Sequence, residues 1–279
     1  MERGLSLTPV AGVILFIFGT VVGSFLNVCI YRLPLNQSII RPRSHCPNCG
    51  AKLKAIENIP LISFLWLKGR CGYCGAKISW RYPIIELLTG LIYLLVGWRL
   101  GMSYHLFFSL FFVSALIAIT FIDLEHFLIL NKITYPSIII GLLATQIPGQ
   151  MPLRSALMGM FLGGGIIYLL LVISPLIFGK EGMGGGDVKL AALMGVFLGW
   201  PKVFLALFLG AAIGAVVGLS LIGLGRAKRG EYIPFGPFLS LGAIIALLLG
   251  DEIIGWYLGI SDFGFRISDF ADFGFRGAV

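Results

Sequence analysis

Two kinds of residue in this chain are spaced to do chemistry: a pair of aspartates and two pairs of cysteines. Asp123 follows the apolar run His105–Ile122 and stands in Phe121-Ile-Asp-Leu-Glu-His126. Asp187 closes Gly182-Met-Gly-Gly-Gly-Asp187 and precedes Val188-Lys-Leu190. A carboxylate is costly in hydrocarbon, so an ionisable group at a membrane boundary is a functional candidate by default. Two carboxylates brought together can share one proton and activate a water, the chemistry of peptide hydrolysis by an aspartate pair. The glycines before Asp187 permit close approach of a substrate backbone and conformations closed to other residues. The competing expectation is structural, with Asp123 capping a helix that starts near Lys132 and Asp187 capping the apolar segment that follows it.

The cysteines point to a metal. His45-Cys-Pro-Asn-Cys-Gly50 and Arg70-Cys-Gly-Tyr-Cys-Gly75 are two C-x-x-C-G turns with 21 residues between them. Each turn offers two thiolates to one ion, and Cys46, Cys49, Cys71 and Cys74 together complete a closed tetrahedral zinc site. The gap is slightly longer than usual for this pattern. Disulfides are the alternative, and a reducing cytosol disfavours them. A four-thiolate site has no open position for a catalytic water, so the zinc is expected to be structural. Cys29, the fifth cysteine, falls in the first apolar stretch and reads as a small packing residue.

The elements that must position these groups are membrane helices. Of 279 residues, 58% are hydrophobic and 12% are charged, with a mean hydropathy of +0.96. Soluble domains carry about 25% charged residues. Eight apolar segments are expected to be helical: Thr8–Tyr31, Pro83–Gly101, His105–Ile122, Thr134–Ile147, Ser155–Phe178, Val188–Trp200, Val203–Gly225 and Pro237–Gly259. The fold class is thus an all-α polytopic membrane protein of about eight transmembrane helices, with a small cytoplasmic four-cysteine zinc loop. The fourth and sixth segments are short for a full span. The first is longer than a signal-peptide core and lacks a good cleavage site, so it reads as a retained helix. The expected divisions are an N-terminal helix (1–31), a zinc-binding loop (32–82), a membrane-embedded peptidase core (83–260) and a tail (261–279).

Charge orients the bundle. Nine of the 21 Lys/Arg lie in 32–82 beside a single acid, Glu57. With eight alternating spans, Lys132, Lys180, Lys189, Arg226, Lys228 and Arg229 join them on one side. The positive-inside rule makes that side cytoplasmic, and both aspartates emerge there. The net charge of +8 reflects topology and contact with anionic lipid, and no nucleic-acid partner is expected.

Along nearly its whole length the chain resembles the bacterial type IV prepilin peptidases, which are leader peptidases and N-methyltransferases. The resemblance is carried by Gly23-Ser-Phe-Leu-Asn-Val-Cys-Ile-Tyr-Arg-Leu-Pro34, both cysteine turns, Glu57-Asn-Ile-Pro60, Arg81-Tyr-Pro-Ile-Ile-Glu86, the aspartate motifs and Ile233-Pro-Phe-Gly-Pro237. It implies an inner-membrane G-x-G-D aspartyl peptidase, with Gly184-Gly-Gly-Asp187 resembling the signature and Asp123 and Asp187 as the catalytic pair. It also implies zinc on the four cysteines, S-adenosyl-L-methionine as methyl donor, and prepilins or type II secretion pseudopilins as substrates. Gly69 resembles a loop glycine that the family links to methyl transfer, which places that reaction in loop 32–82. One departure is Leu130, where the family usually carries proline ahead of the next helix. A G-x-G-D peptidase without methyl transfer and a non-enzymatic assembly protein are the alternatives. The former lacks a zinc loop, and the latter needs no glycine-aspartate loop.

Four other features draw weaker readings. Gly163-Gly-Gly165 is expected to let helices pack closely. Glu86 is expected to pair with a loop arginine or to take part in methyl transfer. His126 reads as a polar interface residue, and Lys189 as a headgroup-boundary residue that could bear on Asp187. The repeat Asp262-Phe-Gly-Phe-Arg266 and Asp272-Phe-Gly-Phe-Arg276 reads as a disordered or duplicated tail.

Overall fold

A computed structural model describes residues 7–147, 150–178, 184–226, 233–257 and 259. The tail repeat and Gly182 and Met183 of the glycine run lie outside them. Among the described residues the regular elements are all helical: α1 Pro9–Arg32, a 3-10 turn Ile56–Asn58, α2 Ile62–Trp66, α3 Arg81–Leu100, α4 Tyr104–His126, α5 Asn131–Ala144, α6 Leu153–Phe178, α7 Gly185–Gly223 and α8 Gly236–Tyr257. Six of these are long and apolar enough to cross a membrane: α1, α3, α4, α6, α7 and α8.

Every expected apolar segment is helical, and the differences lie at the ends. α4 continues through Asp123 to His126, so Asp123 stands in its last turn and not beyond it. The left-handed Phe127 ends the helix and returns its N–H to the Asp123 carbonyl at 2.9 Å. The short fourth segment is the 14-residue α5, too short to span upright at 1.5 Å per residue. The sixth and seventh segments are two helices, as expected, that follow one another within α7 and are divided by a bend at Gly199, where the backbone leaves the helical region with φ 75° and ψ 171°. Gly199-Trp-Pro201 explains the bend: Pro201 cannot donate to the preceding turn, and only glycine enters this backbone region without strain.

The chain divides into two compact units, Met1–Thr134 and Tyr135–Val279. In the first, α1 packs along α3, and α4 touches both. Gly19 and Gly23 make the α1–α3 approach possible, because a Cβ on either would stand 2.8 Å from the Cα of Gly90 or Glu86. A buried hydrogen bond of 2.7 Å between Tyr93 Oη and Ser114 Oγ ties α3 to α4. In the second unit α7 packs against both α6 and α8. A Cβ on Gly163 would lie 2.6 Å from the Ala191 carbonyl oxygen, so this glycine serves close helix packing as expected. Large apolar side chains such as Trp98, Phe107, Phe161, Phe208 and Leu219 point outward. In water such a surface would be a liability, and in lipid it costs nothing.

Candidate active site

The cysteine loop builds itself from short-range backbone bonds. In the first turn the Cys46 N–H donates to the Ala51 carbonyl (2.9 Å) and the Gly50 N–H to the Cys46 carbonyl (2.9 Å). The second repeats this geometry, from Cys71 to Ala76 at 2.8 Å and from Gly75 to Cys71 at 2.9 Å. Gly50 and Gly75 adopt φ of 69° and 71°, which a side chain would oppose. The two turns bring the sulfurs of Cys46, Cys49, Cys71 and Cys74 within 4.8 Å of one another, and all four thiols are unbridged. Cys46 and Cys74 Sγ are 3.9 Å apart. Four ligands at about 2.3 Å from a tetrahedral zinc stand roughly 3.8 Å apart, whereas a disulfide needs about 2.05 Å. The surroundings favour the thiolate at two of the four cysteines. The Ala76 N–H and the Asn48 side chain hold the Cys74 thiol down to about 6, and the N–H groups of Cys49 and Asn48 lower that of Cys46. Despite the Ala51 N–H, desolvation and the neighbouring thiols push Cys49 up to about 11. The donor set therefore fits a closed zinc site.

Between the turns, the loop is anchored to the helices at two points. The Leu61 N–H donates to Glu86 Oε2 at 2.8 Å, and Glu86 is buried on α3. This corrects one expectation: Glu86 holds a loop backbone N–H and not a loop arginine. The loop-side arginine that does find a carboxylate is Arg81, which pairs with Glu125. The second anchor is aromatic, with the Phe64 and Trp80 rings 4.9 Å apart. Sequence reasoning did not find the Leu61–Glu86 bond, because a backbone donor leaves no pattern in side-chain types.

Gly69 sits just ahead of the second turn with φ of 67°. Its N–H donates to the Phe64 carbonyl (2.9 Å), and its carbonyl accepts from Ile78 (2.8 Å). A Cβ there would meet Phe64 Cζ at 3.1 Å. It borders an open hollow of about 420 Å³ that is also lined by Lys68, Arg70, Lys77 and Trp80.

The two aspartates belong to different units. Asp123, in the first, is 4% exposed, beside the fully buried Ile122 and Ile119. Asp187, in the second, is 3% exposed and occupies the third position of α7. Its Oδ2 accepts the Gly184 N–H at 3.1 Å, so the capping role weighed from sequence is present. Capping accounts for one oxygen, and a surface cap does not require burial of the whole group. Gly185 has open space where a side chain would go, so packing within this unit does not demand a glycine there. Nearby, the Lys189 ammonium lies 5.6 Å from the centre of the Tyr135 ring. His126 is exposed. α5 begins at Asn131 without the family's proline, with the Ile133 and Thr134 N–H groups donating to the Leu130 carbonyl at 3.0 and 3.1 Å.

Comparison with known proteins places this architecture. Residues 17–100 match the bacterial peptidase A24 N-terminal domain, and residues 110–219 match the type IV leader peptidase family. The chain is 40% identical to a prepilin leader peptidase/N-methyltransferase of Aeromonas salmonicida, over 88% of this chain and 93% of the relative. It is 35% identical to one of Pseudomonas aeruginosa (93% and 98% covered) and 34% identical to one of Neisseria gonorrhoeae (90% and 96% covered). No solved structure matches significantly. On these matches, which run through both the cysteine loop and the aspartate-bearing helices, the chain belongs to the type IV leader peptidase family.

Proposed function

We propose that this chain cleaves the leader from type IV prepilins or pseudopilins at the cytoplasmic face of the inner membrane and methylates the new N-terminus. The observation that carries the peptidase half is the burial of two carboxylates at helix ends, Asp123 at 4% and Asp187 at 3% exposure. In this reading Asp123 and Asp187 act as one pair. The ionised carboxylate takes a proton from water as the oxygen attacks the scissile carbonyl, and the neutral one donates to the carbonyl oxygen. Collapse of the tetrahedral intermediate breaks the C–N bond, and the leaving amine takes up a proton from the pair. The open space at Gly185 gives an extended substrate backbone room beside Asp187. The division into an N-terminal helix, a zinc loop, a peptidase core and a tail belongs to the same reading.

Zinc would be held by Cys46, Cys49, Cys71 and Cys74, supplying a cross-link that braces loop 32–82 and no catalytic water. S-adenosyl-L-methionine would supply an electrophilic methyl group on a sulfonium. The hollow beside Gly69 does not fit it, because Lys68, Arg70 and Lys77 line that space and would repel a cationic ligand. Gly69 enters methyl transfer in this reading by shaping the loop. The test is incubation of the purified protein with a prepilin and the methyl donor, read by intact mass. Loss of the leader together with gain of one methyl group is expected. Leader loss without methylation would leave a peptidase alone, and an unchanged prepilin would overturn the reading.

A further inference from the structure

The loop between α1 and α3 carries an outward face that neither zinc binding nor peptide cleavage uses. On the short helix α2, Leu65 and Trp66 are 73% and 76% exposed, and Trp80 is 68% exposed. Such exposure of large apolar groups is unfavourable in water and marks a surface that meets something apolar. Trp80 fixes where that surface lies. It is the residue immediately before α3, a helix long and apolar enough to cross a membrane. Tryptophan at the end of a span sits at the headgroup level. Phe64 of α2 packs on its ring at 4.9 Å, so α2 lies at the same level, within the same unit.

The charge lining the hollow on this face has one sign. Lys68, Arg70 and Lys77 line the hollow of about 420 Å³ together with Leu65 and Trp80, and all three are exposed. Among the described residues these three side chains form no ion pair, while Arg81 is taken by Glu125. A basic hollow rimmed by indole and leucine matches an anionic amphiphile, with phosphate among the cations and glycerol and upper acyl carbons against the rings.

We propose that Leu65, Trp66 and Trp80, with Lys68, Arg70 and Lys77, form a docking face for anionic phospholipid headgroups. It holds the zinc loop down on the membrane surface. The inference does not depend on the prepilin reading. An acidic peptide would satisfy the cations but would leave the three apolar side chains without a partner, so lipid is the better match.

The test is hydrogen exchange of residues 62–80 in the full chain, in nanodiscs of phosphatidylcholine alone or with phosphatidylglycerol added. Phosphatidylglycerol should slow exchange in this segment, and high salt should reverse the effect. The variant Lys68→Gln/Arg70→Gln/Lys77→Gln should lose the lipid-dependent protection while keeping its zinc, and the Lys68→Arg/Lys77→Arg variant should keep both. Each cation removed should lower the docked-to-undocked ratio about fivefold. If the triple variant loses zinc, Lys77→Gln alone carries the test, with that single fivefold loss expected. Equal exchange in the two lipids, or protection that survives loss of the cations, overturns the proposal. So does equal protection in phosphatidylcholine discs from polyglutamate or inorganic phosphate.

Discussion

The two cysteine turns and the two aspartates are assembled by opposite routes. Each cysteine turn closes on itself within six residues, from the Cys46 N–H to the Ala51 carbonyl and from Cys71 to Ala76. Its metal ligands are therefore placed by the local chain, and the loop between the turns only has to bring two finished halves together. The aspartates are placed by helix ends. Asp123 is set by the termination of α4 at Phe127 and Asp187 by the start of α7 at Gly184, and each is buried. A locally coded site fails when one of its own residues changes. A site set by helix ends also fails when distant packing shifts, yet it tolerates isosteric change at the site without loss of fold. The two regions should therefore respond differently to the same kind of substitution.

The largest effect is expected at the aspartates. Asp187→Asn keeps an oxygen that can accept the Gly184 N–H, so the cap at 3.1 Å survives while the ionisable group is lost. Turnover should fall by about 10²–10⁴-fold with normal extraction and thermal stability. Asp187→Ala loses the cap as well and should cost about 1 kcal/mol of stability in addition. Asp123→Asn should match Asp187→Asn in activity. Residual turnover above about a tenth of wild type in either Asn variant would show that carboxylate to be structural.

Metal content breaks the comparison from the other side. The purified protein should hold about one zinc per chain, and single Cys→Ser changes at Cys46, Cys49, Cys71 or Cys74 should take it close to none. Chelation should disorder the loop first and leave leader cleavage less affected, since zinc supplies no reacting water. Metal analysis and cleavage rate on the same samples decide this. Cleavage lost in strict proportion to zinc would mean that the loop positions substrate for the aspartates.

The difference in construction also explains what could be read from sequence. The four cysteines were legible because C-x-x-C-G encodes a turn, two ligands and a positive-φ glycine in five residues. The apolar segments were legible because lipid imposes length and composition on them, and each one is helical in the structure. The end of α4 was misplaced by a few residues, because Asp123, Glu125 and His126 look like loop while the backbone continues to a left-handed Phe127. The joint at Gly199-Trp-Pro201 was legible because glycine and proline interrupt the apolar run together, and the backbone does leave the helical region there, at Gly199. α2 and the bond from Leu61 to Glu86 left no periodic signal, being one short turn and one backbone donor.

Gly69 tests whether the loop serves chemistry beyond bracing. At φ of 67°, Gly69→Val places a β-branched residue in a strained region and presses on Phe64, whose Cζ would lie 3.1 Å from the new Cβ. Methyl transfer needs the amine in line with the donor, and misplacement of about 1 Å can cost 10²-fold. Mass spectrometry of the processed prepilin should show a shortened, unmethylated chain, with zinc retained. A parallel fall in cleavage and methylation would mean that loop 32–82 docks the substrate for both reactions.

The smallest effect separates two glycines on one helix and concerns packing alone. Gly163 faces both arms of the bent α7, since a Cβ there would stand 2.6 Å from the Ala191 carbonyl and 2.8 Å from Val203 Cγ2. Gly163→Ala must push α6 away from α7 and should destabilise by about 1–2 kcal/mol after allowing for alanine's better helix propensity. Gly165 has no atom within 4 Å of an added Cβ, so Gly165→Ala should be neutral or stabilising by up to about 0.5–1 kcal/mol. Thermal unfolding in detergent, followed by helical circular dichroism, reads both. Because neither glycine touches an aspartate or a cysteine in this reading, zinc content should be unchanged in the two variants. A loss at Gly165 equal to that at Gly163 would show that flexibility, and not close approach, is what this stretch of α6 requires.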